Sequence, residues 1–224
     1  VSRGLGDVYK RQLSDYNKIL AQRNKLLKKS APAGAVEVWD MQLIARCAKI
    51  TRTRREFVHR LEKYAAESHL FLTDGRENLQ IKYEGTTGDD EKEIKQNFSR
   101  RLKDCMEIDY KHGYTHCGPQ TDDLVVMLDG TDVRKFGSQG QQRSCALSLK
   151  LAEMKLYRDE QGEYPVLLLD DVFSELDRAR ACRLAEAVAG FQTIITCTHL
   201  PPEIISALEK YSEFIVSGGK ITKK

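Results

Sequence analysis

The chain has 224 residues, 41% hydrophobic and 31% charged, enough to bury one core, or one core with a smaller helical appendage, as a soluble globular protein with long exposed helices. Its 36 Lys and Arg against 33 Asp and Glu leave a net charge of +3, too small by itself to point to a nucleic-acid partner. No secretory leader or long apolar run is present, which excludes a membrane partner, and six cysteines without a C-x-x-C pair point to a reducing cytoplasm.

Residues 1–12 show no period that joins the helical pattern beginning at Leu13 and are read as a non-native or unassigned leader. From Leu13 to Lys29, Leu13, Tyr16, Leu20 and Leu27 recur at helical spacing, and Ser30-Ala31-Pro32-Ala33-Gly34 stops that helix. A longer helix is predicted from Val36 to Ser68, its seam formed by Leu43, Cys47, Ile50, Arg54, Phe57, Leu61 and Tyr64. This first third is crowded with basic residues. Lys25, Lys28, Lys29, Arg52 and Arg55 are candidates for DNA contact on charge density, although a solvated helix face has the same composition.

Leu79 to Tyr83 alternates as a strand, Glu91 to Met106 reads as an amphipathic helix, and Leu124 to Leu128 as a strand closed by Asp129-Gly130. His112, His116 and Cys117 lack the second ligand pair that a metal site needs. A helix from Ser144 to Tyr157 continues Phe136-Gly137-Ser138-Gln139-Gly140-Gln141-Gln142-Arg143 without a break. Val166 to Leu169 is a continuous apolar run, as a strand buried on both faces of a parallel sheet would be. A helix over 178–189, a strand at Thr193–Thr196, then a helix at 204–211 and a strand at 214–217 extend the pattern. The elements divide the chain into a helical arm or second lobe, 13–112, and a C-terminal α/β lobe, 113–224.

The apolar run ends in Asp170-Asp171, the Walker B arrangement, because strand C-termini in an open α/β sheet face the ligand crevice. Asp170 is expected to hold Mg²⁺ through water and Asp171 to polarise the attacking water; a pair of helix-capping acids is the plainer alternative. Ser174-Glu175-Leu176-Asp177 resembles the D-loop that comes after Walker B in ABC ATPases, and Ser138-Gln139-Gly140-Gln141 stands where those proteins carry their signature. A hydroxyl and a glycine at a helix N-terminus expose N–H groups and the positive dipole end to a phosphate. No G-x-x-x-x-G-K-[ST] occurs, and Gly218-Gly219-Lys220 is followed by Ile221 with no helix after it. The missing half is read as truncation, with a phosphate loop expected within roughly 150 residues upstream of Leu13.

Gly113-Tyr114, Gly118-Pro119-Gln120-Thr121-Asp122-Asp123-Leu124, Phe136 to Arg143, Gln22-Arg23-Asn24, Trp39-Asp40 and Val166 to Asp177 together closely resemble the RecF family, from Leu13 nearly to the end. The resemblance implies a P-loop NTPase of ABC-head type, here its C-terminal half with a helical second lobe. It implies an ATP- and Mg²⁺-dependent homodimer with weak ATPase activity in the intact protein, and DNA binding at gaps and single-strand/double-strand junctions. Support of RecA loading with RecO and RecR, DNA replication, and the SOS response are further implications. Ser138, Gln139, Gly140 and Gln141 would meet nucleotide held by the partner subunit, and Ser174 and Asp177 would couple the two sites. The chain departs from the family at Gln120-Thr121, where His-Arg is more frequent. His199, where RecF often has Thr, is either a γ-phosphate sensor, as in other ABC heads, or a surface histidine. Alternatives are another SMC-like head, against which the short helical stretch argues, and a non-catalytic DNA clamp, against which Asp170, Asp171 and the signature residues argue.

Overall fold

A computed structural model describes residues 2–208 and 210–224, with side chains from Val8 onward apart from that of Glu209. Val1, in the expected leader, and Glu209, in the helix expected over 204–211, lie outside the described residues. The chain forms two compact units, Val1–Glu62 with Gln80–Met127, and Lys63–Leu79 with Leu128–Lys224. This division differs from the expected 13–112 and 113–224 lobes because one long helix and the segment after it serve both units.

The first unit holds α1 (Ser2–Lys28), most of α2 (Ala33–Leu72) and of β1 (Leu79–Glu84), α3 (Glu91–Asp104), α4 (Met106–His112) and most of β2 (Asp123–Leu128). The leader is not separate: α1 runs unbroken from Ser2, and Tyr9 packs with Leu13 against the core around Tyr16, Ile19, Leu43, Cys47, Ile50, Phe98 and Leu102. Gly4 and Gly6 dilute the period in the sequence, yet Tyr9, Leu13 and Tyr16 are spaced four and three apart, the same stripe. Arg54 Nε donates to Tyr9 Oη at 3.0 Å and Nη1 to the Pro119 carbonyl at 2.5 Å, so the polar break in the α2 seam is a hydrogen-bonded post. Phe57, expected in that seam, is exposed.

Arg23, which belongs by sequence to the basic arm, is fully buried instead. Its Nε meets Asp40 Oδ1 at 2.5 Å, and its Nη1 meets Asp109 Oδ2 at 2.6 Å and Thr115 Oγ1 at 2.8 Å. Burial pushes the Asp40 carboxyl above its usual range, with Arg23 pulling the other way. His116 donates from Nδ1 and from its backbone to Asp109 Oδ1, at 2.8 and 2.9 Å, and its Nε2 faces His112 Nδ1 at 2.9 Å. The histidines are thus occupied with Asp109 and each other, and no group of three metal-binding side chains occurs among the described residues.

The second unit carries β3 (Thr131–Asp132), α5 (Val133–Phe136), α6 (Gln139–Gln161), β4 (Leu167–Asp170), a 3-10 turn (Val172–Glu175), α7 (Arg178–Val188), β5 (Thr193–Thr196), α8 (Pro202–Ala207), β6 (Phe214–Ser217) and β7 (Lys220–Lys223). β4 and β5 pair in parallel, Leu167 opposite Thr193 and Asp170 opposite Thr196. One sheet face packs against α6, α7 and α8 through Leu167, Leu169, Leu151, Met154, Leu184, Val188 and Ile204. Burying a residue such as Leu184 contributes roughly 1.5–3 kcal/mol. The expectation that β4 is buried on both faces does not hold: Leu168 is 68% and Ile194 57% exposed. The apolar run is real, but among the described residues only one face of the pair is covered. β6 does not extend this sheet either; it folds back on β7 as an antiparallel hairpin through Gly218 and Gly219, both at positive φ, where only glycine is unstrained.

Candidate functional site

Asp132 caps α5, accepting from the N–H groups of Arg134 and Lys135, and the chain then extends through Gly137 to Ser138. Ser138 is the N-cap of α6, with φ −62° and ψ 160°. Its Oγ accepts from the Gln141 N–H at 3.3 Å, and the Gln141 Oε1 accepts from the Ser138 N–H at 3.0 Å, a reciprocal capping box. Gln142 N–H bonds to the Ser138 carbonyl at 2.9 Å. Helix geometry leaves the N–H groups of Gln139 and Gly140 without intrahelical acceptors, and the Ser138 hydroxyl keeps its proton to donate. Ser138 and Gln139 are exposed, and free N–H groups at a helix N-terminus are a chemistry that can accept an anion.

Behind the tip lies a polar network that the sequence did not announce. Gln141 Nε2 donates to Glu77 Oε1 at 3.1 Å, the other Glu77 oxygen meets His69 Nε2 at 3.1 Å, and His69 Nδ1 meets Ser148 Oγ at 2.9 Å. Arg180 stands 3.9 Å from Glu77 and 3.4 Å from Asp177, and a Cβ on Gly140 would come within 3.3 Å of its Nη1. Arg143 pairs with Glu175 at 3.2 Å. The signature tip and the D-loop segment are therefore tied through Arg180 and Arg143. Of this network, Gln141 carries a sequence signal; Glu77, His69 and Arg180 do not.

Burial lowers the His69 pKa, Glu77 opposing that shift. The folded form then binds fewer protons than the unfolded chain, whose histidine titrates near about 6.5. Stability from this group is full above that pH and is lost as pH falls through the lowered folded pKa. Urea midpoints should accordingly drop on acidification below about pH 6.5. A His69→Leu variant should lose roughly 1–3 kcal/mol at neutral pH, because Glu77 and Ser148 lose a buried partner, and should show a flatter acid limb. An unchanged acid limb would assign the pH effect to other groups.

At the strand end, Thr196 Oγ1 donates to Asp170 Oδ1, and the Asp171 N–H donates to the Thr196 carbonyl at 3.0 Å. Asp171 has φ 50°, a left-handed conformation that Asp tolerates better than most residues, and both carboxylates are exposed. Ser174 Oγ donates to the Asp171 carbonyl at 2.8 Å, and Asp177 caps α7 by accepting from the Arg180 N–H at 3.0 Å. His199 is exposed on the segment after β5. Burial, then the nearby Asp171 and Glu213 charges, raise the Cys197 thiol pKa, so Asp171 is within electrostatic reach of that segment. Two exposed carboxylates at one strand end suit a hard divalent cation and a water molecule.

Of the basic candidates, Lys25, Lys28 and Lys29 are exposed at the end of α1, whereas Arg52 pairs with Glu56 at 2.8 Å and Arg55 donates to the Gly88 carbonyl. Gln120, at the family-divergent position, accepts from Tyr16 and donates to the Cys117 carbonyl at 2.9 Å, a packing role.

No protein-family model matches the sequence. Among curated proteins the chain is 49% identical over 197 residues to the DNA replication and repair protein RecF of Halothermothrix orenii, covering 83% of this chain and 52% of that relative. It is 40% identical over 223 residues to RecF of Lachnoclostridium phytofermentans, covering 98% of this chain and 60% of the relative. Among solved structures, the recombination mediator protein RecF of the RecFOR pathway in its ATP form superposes with a TM-score of 0.81 at 32% identity, covering 97% of this chain and 59% of that one. The chain thus spans 52% to 60% of the length of these relatives. No described helix is long and apolar enough to cross a membrane.

Proposed function

Because the chain belongs to the RecF family and has the α/β fold of an ABC-type ATPase head with a helical second lobe, we propose that it supplies the signature half of a nucleotide clamp. The supporting observation is the capped, exposed tip at Ser138, in the same unit as the paired carboxylates Asp170 and Asp171. The phosphates that this tip meets are those of nucleotide held on the partner subunit of an ATP-dependent homodimer. Ser138 Oγ and the N–H groups of Gln139 and Gly140 donate to the γ-phosphate, and Gln141 holds the tip in shape through Ser138 and Glu77.

Asp170 and Asp171 serve the other end of the site, on nucleotide held by their own subunit's phosphate loop. Asp170, positioned by Thr196, would hold Mg²⁺, and Asp171 would orient the attacking water. Mg²⁺, when bound, neutralises charge on the phosphate oxygens. Ser174 and Asp177 shape the D-loop between the two sites, and His199 stands where a γ-phosphate sensor belongs. The intact protein is a slow ATPase of the cytoplasm. It binds DNA at gaps and single-strand/double-strand junctions with Lys25, Lys28, Lys29, Arg52 and Arg55 as candidate contacts, and supports RecA loading with RecO and RecR, replication and the SOS response.

The test is Ser138→Arg in the intact protein, which puts a bulky side chain where the partner's phosphate must approach. Loss of the cap costs about 1 kcal/mol, too little to unfold the unit. ATP should still bind each protomer, while ATP-dependent dimerisation, followed by sedimentation velocity, disappears. A variant that dimerises with ATP as the parent does would refute the clamp.

A further inference from the structure

His112, Tyr114 and His116 form a ring cluster on the surface of the first unit, and neither the nucleotide site nor the core uses it. Tyr114 stacks on His116 with ring centroids 4.1 Å apart and planes 29° from parallel, and His112 lies 4.9 Å from His116. Tyr114 is nevertheless 49% exposed.

The backbone carrying these rings is fixed from below. Gly113 ends α4 at φ 72°, and a Cβ there would meet Lys28 Cγ at 2.9 Å, so α1 and the ring loop lie in direct contact. Both the N–H and the hydroxyl of Thr115 donate to Asn24 Oδ1, at 2.9 and 2.7 Å. The His116 N–H and Nδ1 both donate to the buried Asp109, and the Tyr110 hydroxyl donates to the Ala31 carbonyl at 2.8 Å. These contacts set Lys28 against the ring loop, and Lys25 and Lys29 are exposed on the same end of α1. The lysines have a bland duty, since they answer the negative end of the α1 dipole. That duty does not account for a rigidly held aromatic ring turned toward solvent.

We propose that Tyr114, backed by His116 and with Lys28 at its loop and Lys25 and Lys29 on the same helix end, is a stacking platform for an unpaired base of single-stranded DNA. A ring already stacked on one side offers its other face to a base at little ordering cost, and the lysines meet the adjoining phosphates. A base within a duplex has both faces covered, so the platform selects single strands. The choice of DNA rests on the proposed RecF-type function, but nucleotide plays no part in the contact.

The experiment is fluorescence anisotropy with the full chain, without ATP, using a labelled oligothymidylate of about 15 nucleotides and a duplex of equal length. Tyr114→Ala should weaken binding of the single strand by roughly 5- to 150-fold and leave the duplex unaffected. Tyr114→Leu, which keeps apolar bulk but removes the ring, should match Ala, and Tyr114→Phe should match the parent. Three results would overturn the platform: variants that bind the single strand like the parent, equal losses on single strand and duplex, or a parent that binds neither at low salt. The last would leave this face to a protein partner. None of them touches the Ser138 test, whose own failure would leave the platform standing.

Discussion

Asp171→Asn in the intact protein is expected to slow ATP hydrolysis by at least about 100-fold, the range in which a group that handles the attacking water acts, while ATP-dependent dimerisation persists. The substitution is chosen on backbone grounds. Asp171 sits at φ 50°, where most side chains are strained, and Asn shares with Asp the ability to occupy that region. Its backbone N–H, bonded to Thr196, and its carbonyl, which accepts from Ser174, are untouched by the change. An alanine would confound lost charge with about 1–2 kcal/mol of backbone strain, and Asn removes the charge alone. Single-turnover hydrolysis separates chemistry from product release. If the Asp171→Asn protein hydrolysed ATP at the parental rate, the water-orienting role would have to pass to another group, and His199 on the neighbouring segment would be the next to replace.

The local signals in the sequence were those with a short physical range. A Ser three residues before a Gln, leading into a helical period, produced the capping box at Ser138 and Gln141; Ile94, Phe98 and Leu102 at helical spacing produced the buried face of α3. Asp170 and Asp171 stand at the end of β4 because an apolar run stops at a pair of acids. What was not legible depended on distant partners. Arg23 and Asp40 help carry the family resemblance, but no local pattern shows that Asp40 and Asp109, from two other helices, close around Arg23. Glu77 shows no motif because its meaning comes from Gln141 and His69. Leu168 fits a doubly covered strand by composition, but hydrophobicity records that a face can be buried and does not say what covers it. Tyr9 is hard to read because Gly4 and Gly6 weaken the helical period without stopping a helix whose later turns are packed.

The largest effect on stability is expected at Arg23. Its guanidinium is 0% exposed and serves two carboxylates, of which Asp109 is as deeply buried and already accepts twice from His116. Replacing it with Met fills much of the volume and removes the charge, leaving two acids in a site built for a cation. Breaking a buried pair from one side costs roughly 3–5 kcal/mol, a large share of the stability of a domain of this size, and urea unfolding should register it as a lower midpoint with an unchanged slope. The same reasoning fixes a pH signature. Burial already raises the Asp40 carboxyl, and without Arg23 nothing opposes it. A raised folded pKa gives stability that is complete below the unfolded value and is lost as pH rises through the folded one, so the Met variant should recover part of its deficit on acidification. Removing the demand as well as the supply sharpens the test. Arg23→Met combined with Asp40→Asn should be more stable than Arg23→Met alone, and a double variant no better than the single one would mean that Arg23 holds this unit together by packing and not by charge.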